Sequence, residues 1–381
     1  MLDKHHKNKK KILLIVNSTT FFLSHRLDIA LEAKKNGYSV HIATLYGEDE
    51  QFIRSKGLKF HHIYHNSQQR NIFGEIKTLI SLIKLFKKLE PNLVHLVTIR
   101  PVIFGSIAAR FCNIKSVIVA ISGLGSVFLP VSKKDKVRLF FVKLLYKIAL
   151  SGNFISLIFQ NNSDIDEFKT FTNIVDDRIY LIEGSGVNLS EFQYIQEQNK
   201  VCTILMASRF IRDKGIYEYI SAARRIIRRI PNARFLLVGD IYPNNLSSIS
   251  NEELIELKKS DFIDIKNFTK DIRKYLYEAN IVCLPSYREG MPKFLIEAAS
   301  CGRAVVTTDT PGCRDVVIHN ETGLLVPVKD SESLANAIEF LILNPEIRKL
   351  MGKKGRMRAE KYFSIQRVVA KHIEIYKKLL N

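Results

Sequence analysis

This sequence predicts an α/β protein of two Rossmann-like domains whose parallel sheets face each other across a cleft. Three observations carry that expectation. Short apolar runs alternate with helical patterns along all 381 residues, the signature of parallel sheets built from βαβ units. The length suffices for two domains of ordinary size, and an apolar content of 46% supplies their cores. The alternation pauses around residues 188–200, where Gln193, Gln196, Gln198 and Asn199 leave the chain polar and aperiodic, as a linker is.

Strands are expected at Ile12–Val16, Ser39–Thr44, Phe60–Ile63, Leu93–Val97, Ser116–Ala120, Ile155–Gln160 and Ile179–Ile182. Helices fall between them, for example Phe22–Asn36 and Gly74–Leu89. The second stops at Glu90-Pro91, because proline disfavours helix in the residue before it. After the linker come strands at Thr203–Ser208, Arg234–Val238, Ile263–Lys266, Ile281–Leu284 and Ala304–Thr307, with a helix at Asp271–Ala279. Gly290 and Pro292 force a loop after Leu284, and the helix that follows ends at Gly302, a natural residue for the left-handed turn closing a helix. The domains are accordingly placed at 1–187 and 201–363, joined by 188–200, with a terminal helix in 364–381.

Charge is unusual: 58 basic against 38 acidic residues give +20. Residues 1–150 hold 25 basic and 9 acidic side chains, a net of +16, so the first half owns most of the positive field. Such asymmetry fits an anionic partner, whether nucleic acid, a phospholipid surface or a phosphorylated compound. It equally fits a lysine-rich surface that only keeps the protein dissolved. The basic residues form no recognisable nucleic-acid-binding motif. Within that half, Lys133–Leu150 carries an apolar stripe of Leu139, Phe140, Val142, Leu144, Leu145 and Ile148 among lysines. It reads either as a membrane-surface helix or as an ordinary helix facing the core.

Cys112, Cys202, Cys283, Cys301 and Cys313 show no metal-ligand spacing and read as reduced thiols. Basic Lys7–Lys11 and apolar Ile12–Val16 could pass for a signal peptide, but Asn17-Ser18-Thr19-Thr20 interrupts the apolar core. No clean apolar span of about 20 residues is present. Asp164-Ile165-Asp166 has the form of a metal-binding DxD, yet Ser163 as N-cap with acids in the first helical turn explains it. No metal and no cofactor are expected.

The chemistry concentrates in Ser286–Gly302. Glu289 lies in the loop and Glu297 about one turn into the helix, so two carboxylates can point into one cleft. Strand, loop and helix N-terminus form the place where open α/β sheets bind phosphorylated ligands. Arg209 and Lys214, five apart in the loop after the first strand of the second domain, can converge on a diphosphate with a forked and a compact cation. Leu236–Asp240 ends the next strand in a turn at Gly239. In the first domain, Asn17–Leu27 links strand to helix as a polar, aromatic turn ending Ser24-His25-Arg26. His95, at a strand end, reads as a buried, hydrogen-bonded histidine.

Residue by residue, Glu289–Glu297 resembles the E-x7-E signature of retaining glycosyltransferases of family 4, which have the GT-B fold. The resemblance continues through Gly302–Asp309, Pro311–Val317 and Asn320–Pro327. Ala207–Gly215 is similar to the family's G-R-x-x-x-x-K-G pattern, with Ser208 in place of the first glycine. Asn17–Leu27, Leu93–Val102 and Ile121–Gly125 resemble the branch that extends polyprenyl-linked or lipopolysaccharide glycans.

The resemblance implies an acceptor-binding first domain, a second domain holding a nucleotide sugar, and a terminal helix crossing back to the first. It implies that Glu297 holds ribose hydroxyls and Glu289 the donor sugar. Arg209 and Lys214 would stabilise the departing diphosphate, while the segment Gly290, Met291, Pro292, Lys293 and Phe294 would bind the donor through its backbone N–H groups, which all but the proline carry. Gly239 would lie beneath base and ribose. Many relatives carry a histidine near Ser122 that touches the sugar; here Ser122, Gly123, His25 or Ser18 would take that part. The expected activity is metal-independent, retaining transfer from a nucleotide sugar, UDP-linked by expectation, to a glycan on a polyprenyl diphosphate. It would occur at the inner face of the cytoplasmic membrane, on an anionic lipid surface and without nucleic acid. A sugar-nucleotide epimerase on the same scaffold and a basic nucleic-acid-binding protein are the competing readings.

Overall fold

The computed structural model describes residues 9–64, 72–130, 132–197, 201–242, 245 and 247–381. Of the expected linker, 198–200 lie outside the described residues, as do Lys7 and Asn8 of the basic start. The chain forms two compact units. One comprises Met1–Gly123, Pro130–Ser185 and Gln366–Asn381, the other Leu124–Leu129 and Gly186–Ile365.

Seven strands build the first unit's sheet: β1 (Lys11–Ser18), β2 (Ser39–Tyr46), β3 (Lys59–His62), β4 (Leu93–Val97), β5 (Val117–Ile121), β6 (Ile155–Phe159) and β7 (Ile179–Leu181). Their order is β3-β2-β1-β4-β5-β6-β7, all parallel. The second unit holds β8 (Thr203–Ala207), β9 (Arg234–Val238), β10 (Asp264–Lys266), β11 (Ile281–Leu284), β12 (Ala304–Thr308) and β13 (Gly323–Val326), in the parallel order β10-β9-β8-β11-β12-β13. The central strands β4, β5, β6, β11 and β12 are buried along their whole length, because crossover helices cover both faces of a parallel sheet. Strand order reverses between β1 and β4 and again between β8 and β11. At such switch points the loops leaving the strands' carboxyl ends diverge and open a crevice.

Three local expectations change. Residues 22–36 are two helices, Thr19–His25 and Leu27–Lys35. Ser18 caps the first by accepting from the Phe21 N–H, and Arg26 leaves helical geometry at φ −133°. Asn161, not Ser163, caps the helix Asn162–Lys169, accepting from Asp164 N–H at 2.8 Å. Asp164 is buried against that cap and is occupied structurally. β13 is an additional strand, pairing Gly323–Val326 with Val305–Thr308.

The terminal helix Ile365–Leu380 packs within the first unit. Ser116 Oγ donates to the Leu379 carbonyl at 3.0 Å, and Lys371 pairs with Glu183 at 2.6 Å. The helix Lys133–Ala149 starts in a capping box made by Ser132 and Asp135. It buries only Tyr146 and Ala149, leaving Val137, Phe140, Phe141, Leu144, Leu145 and Ile148 exposed. Of the expected stripe, Phe140, Leu144, Leu145 and Ile148 thus face away from the core, while Leu139 and Val142 are half-buried. No helix among the described residues is long and apolar enough to cross a membrane.

Candidate active site

In the second unit, the loops leaving β8 and β11 flank the switch point and bring two opposite charges together. The short turn Arg212–Lys214 closes on Gly215, which is left-handed at φ +75°. A β-carbon at Gly215 would collide with the Pro285 carbonyl oxygen, so only glycine allows this approach. Tyr287 N–H donates to the Asp213 carbonyl at 2.8 Å, and Ser286 Oγ lies 3.1 Å from the same oxygen. This fixes Lys214 opposite Glu289, with which it forms a hydrogen-bonded ion pair. Ser286, fully buried, donates a second bond to the same Glu289 oxygen at 2.7 Å.

The loop after β12 locks this pair from a third side. Gly312 stands at φ +81°, where a β-carbon would lie 2.7 Å from the Glu289 carbonyl oxygen, and Glu289 N–H donates to the Pro311 carbonyl at 3.3 Å. The helix Lys293–Ser300 then begins without a side-chain cap, and its Leu295 and Ile296 N–H groups donate to the Pro292 carbonyl at 3.1 and 3.3 Å. Gly290, Met291 and Pro292 are buried behind that helix start, and Lys293 and Phe294 are half-buried. Gly302, at φ +73°, ends the helix as expected.

Glu297 lies one turn into this helix and is 8% exposed. Burial raises its pKa, and the nearby Lys293 ammonium, 3.5 Å away, opposes the rise. A buried carboxylate is stabilised by each donor it gains. Paired ligand hydroxyls are such donors. Arg209 does not join Lys214: its guanidinium lies over the Tyr242 ring, 5.0 Å from the centroid. At Gly239 a β-carbon would strike the Ser208 carbonyl oxygen, so the turns after β8 and β9 abut there.

The first unit's candidates divide. Ser18 is engaged as a helix cap. His25 stacks on Phe21 at 4.3 Å and meets Ser24 Oγ through Nδ1 at 2.6 Å. Ser122 is half-buried and accepts from Arg26 Nη2 at 3.0 Å, while Gly123 follows at φ +112°. His95 is fully buried, its Nδ1 2.6 Å from Tyr376 Oη. Burial, then His372 and Arg26, push its pKa well down, so it is neutral. Two contributors had no assigned role in the sequence. Ser286 stands inside the Glu289 motif and Arg26 beside His25, but their partners lie on other loops.

Comparison with known proteins accounts for both units. The family described as glycosyl transferases group 1 matches residues 187–358, and that described as glycosyl transferase 4-like matches residues 11–162. The chain is similar to N,N'-diacetylbacillosaminyl-diphospho-undecaprenol alpha-1,3-N-acetylgalactosaminyltransferase of Campylobacter jejuni, 26% identical over 90% of this chain and 94% of that protein. It is 26% identical to UDP-Gal:alpha-D-GlcNAc-diphosphoundecaprenol alpha-1,3-galactosyltransferase of Escherichia coli, over 80% of each. Among solved structures, sucrose-phosphate synthase of Thermosynechococcus elongatus matches with a TM-score of 0.81 at 21% identity, over 97% of this chain and 99% of that one. That likeness establishes the GT-B fold.

Proposed function

Because this chain belongs to the glycosyl transferases group 1 family of glycosyltransferases, we propose that it transfers a sugar, with retention of configuration, from a UDP sugar to a glycan on a polyprenyl diphosphate. The second unit takes the donor and the first the acceptor. What carries this reading is the Lys214–Glu289 pair at the β8/β11 switch point, with buried Glu297 two helical residues beyond Leu295. The two relatives described above act on diphosphoundecaprenol-linked sugars, and one uses UDP-galactose, by their names.

Glu297 accepts from ribose hydroxyls and Glu289 from hydroxyls of the transferred sugar. Lys214 is already beside Glu289, and Arg209 can swing from Tyr242, so both cations meet the leaving diphosphate. Backbone N–H groups of Gly290, Met291, Lys293 and Phe294 would add donors at the helix start, around Pro292, which has none, and Gly239 lets base and ribose approach the backbone. In the reaction the bond from the anomeric carbon to phosphate oxygen breaks. The acceptor hydroxyl attacks from the same face, and its proton passes to the departing phosphate oxygen. Ser18 ends β1, His25 ends the helix after it, and Ser122 and Gly123 follow β5, positions that the acceptor or sugar would reach.

A panel of UDP and GDP sugars, assayed for nucleotide release with a membrane lipid extract, tests this reading. Release is expected with a UDP sugar and only when lipid acceptor is present. Donor consumption without any acceptor would indicate the epimerase reading. Because lysine and arginine supply the charge that Mg²⁺ supplies elsewhere, turnover should persist in excess EDTA; loss restored by a divalent cation would contradict that step.

Glu297→Ala should chiefly raise the donor KM with kcat little changed, because its partners are present before and during reaction. Steady-state kinetics at varied donor concentration checks this. An unchanged KM would remove Glu297 from the ribose site.

A lipid-linked acceptor would be met at a membrane surface, which this reading takes to be the inner face of the cytoplasmic membrane. The exposed apolar side chains of Lys133–Ala149 support that placement, with Lys133, Lys134 and Lys136 exposed beside them. Right-handed crossovers put the helix Ile72–Leu89, with exposed Phe73, Ile76 and Ile80, on the same face of the sheet. An anionic bilayer surface complements both features.

A further inference from the structure

Arg26 is 3% exposed, yet no carboxylate faces it among the described residues. The titratable groups around it are His95, His372 and Tyr376. Burial pushes His372 down to about 3 and raises the Tyr376 phenol, so these neighbours are neutral at pH 7. Burial also lowers Arg26, but only to about 10, so it keeps its charge. Nη1 donates to the His25 carbonyl at 2.9 Å and Nη2 to Ser122 Oγ at 3.0 Å, while Nε is buried without a partner. Hydrogen bonds to neutral acceptors and the Phe21 ring, 5.9 Å from the guanidinium carbon, offset only part of the cost of burying this cation. An anion arriving nearby would offset that cost.

We propose that Arg26 is a positioning residue that turns the Ser122 hydroxyl into a polarised donor toward a phosphoryl oxygen of a bound diphosphate. A hydroxyl has one O–H and two lone pairs. With a guanidinium N–H on one lone pair, the serine's own hydrogen is free to point elsewhere, and the chained bond strengthens it as a donor. Ser122 stands at the carboxyl end of β5 and is half-buried, so a ligand can reach what Arg26 cannot present directly. The positive charge behind it selects an anionic oxygen over a neutral one. The inference rests on the transferase reading only in naming the ligand: the diphosphate of the nucleotide or that of the lipid.

Two measurements test it without turnover. The thiol of Ser122→Cys, followed by alkylation rate against pH, should titrate at least about one unit below the ordinary 8.5. It should return toward the ordinary value when Arg26→Gln is added. Wild-type protein supplies the background from Cys112 and Cys202, whose thiols burial pushes up. Equilibrium binding of UDP and of farnesyl diphosphate to Ser122→Ala should weaken about tenfold for one of the two, identifying the source, as for loss of one charge-assisted bond. Arg26→Gln should cause a similar loss, and the double variant little more, since coupled residues are not additive. Should Arg26→Gln fail to fold, the two Ser122 variants decide alone. An ordinary thiol, or undiminished binding of both diphosphates, overturns the proposal. Absence of sugar transfer by the wild type would instead count against the transferase reading.

Discussion

Lys214→Ala is expected to lower transfer by about 10²-fold or more, almost entirely in kcat, the usual order for removing one charge-stabilising donor from a transition state. The lysine lies on a short turn, and its side chain, 17% exposed, is covered in part by the loop that carries Glu289 rather than seated in the core. Its removal leaves Glu289 hydrogen-bonded to Ser286, so the carboxylate is not stranded. Circular dichroism should therefore show a folded variant with a modestly lower Tm. Glu289 also loses its restraint, and a small rise in donor KM should accompany the fall in kcat. A folded Lys214→Ala with wild-type kcat would show that the diphosphate lies elsewhere.

Replacing Phe140, Phe141, Leu144 and Leu145 together by serine is expected to reduce binding to vesicles of acidic phospholipid by about 10³-fold. Half-inserting each side chain is worth roughly 1 kcal/mol of apolar burial, from about 1.5–3 kcal/mol for complete burial. These four are exposed, at 65%, 56%, 41% and 38%, so the variant should fold without a cavity. Neutralising Lys133, Lys134, Lys136, Arg138 and Lys143 should weaken binding less, and most at low salt. Lys143 already pairs with Glu167 at 2.7 Å and Arg138 with Asp135 at 3.3 Å, which reduces what they offer a lipid headgroup. Cosedimentation with vesicles reads both. Undiminished pelleting of the serine variant would exclude this helix as the membrane surface.

The sheets were legible because a parallel strand buried on both faces is a short apolar run, whichever partner it has. Leu93–Val97 and Ile281–Leu284 needed nothing more. β13 escaped because Gly323–Val326 opens on a glycine and sits among turn residues. The break at Arg26 is illegible locally: the hydroxyl that draws its side chain out is Ser122, 96 residues away. Periodicity could not orient Lys133–Ala149 either, because apolar residues occupy most of its circumference; the structure exposes Phe140 and buries Tyr146. In the donor region, motif spacing marked Lys214 and Glu289 separately. Their meeting depends on two loops from neighbouring strands and on the close approach allowed at Gly215. Ser286, the second ligand of Glu289, was hidden in plain sight for the same reason.

The most direct test supplies one radiolabelled UDP sugar and a defined polyprenyl-diphosphate glycan, then isolates the lipid and determines the new linkage. The expected product is a lipid one sugar longer, with the donor's anomeric configuration kept and one nucleotide diphosphate released per transfer. An inverted linkage, or label that never enters lipid while donor is consumed, would contradict it.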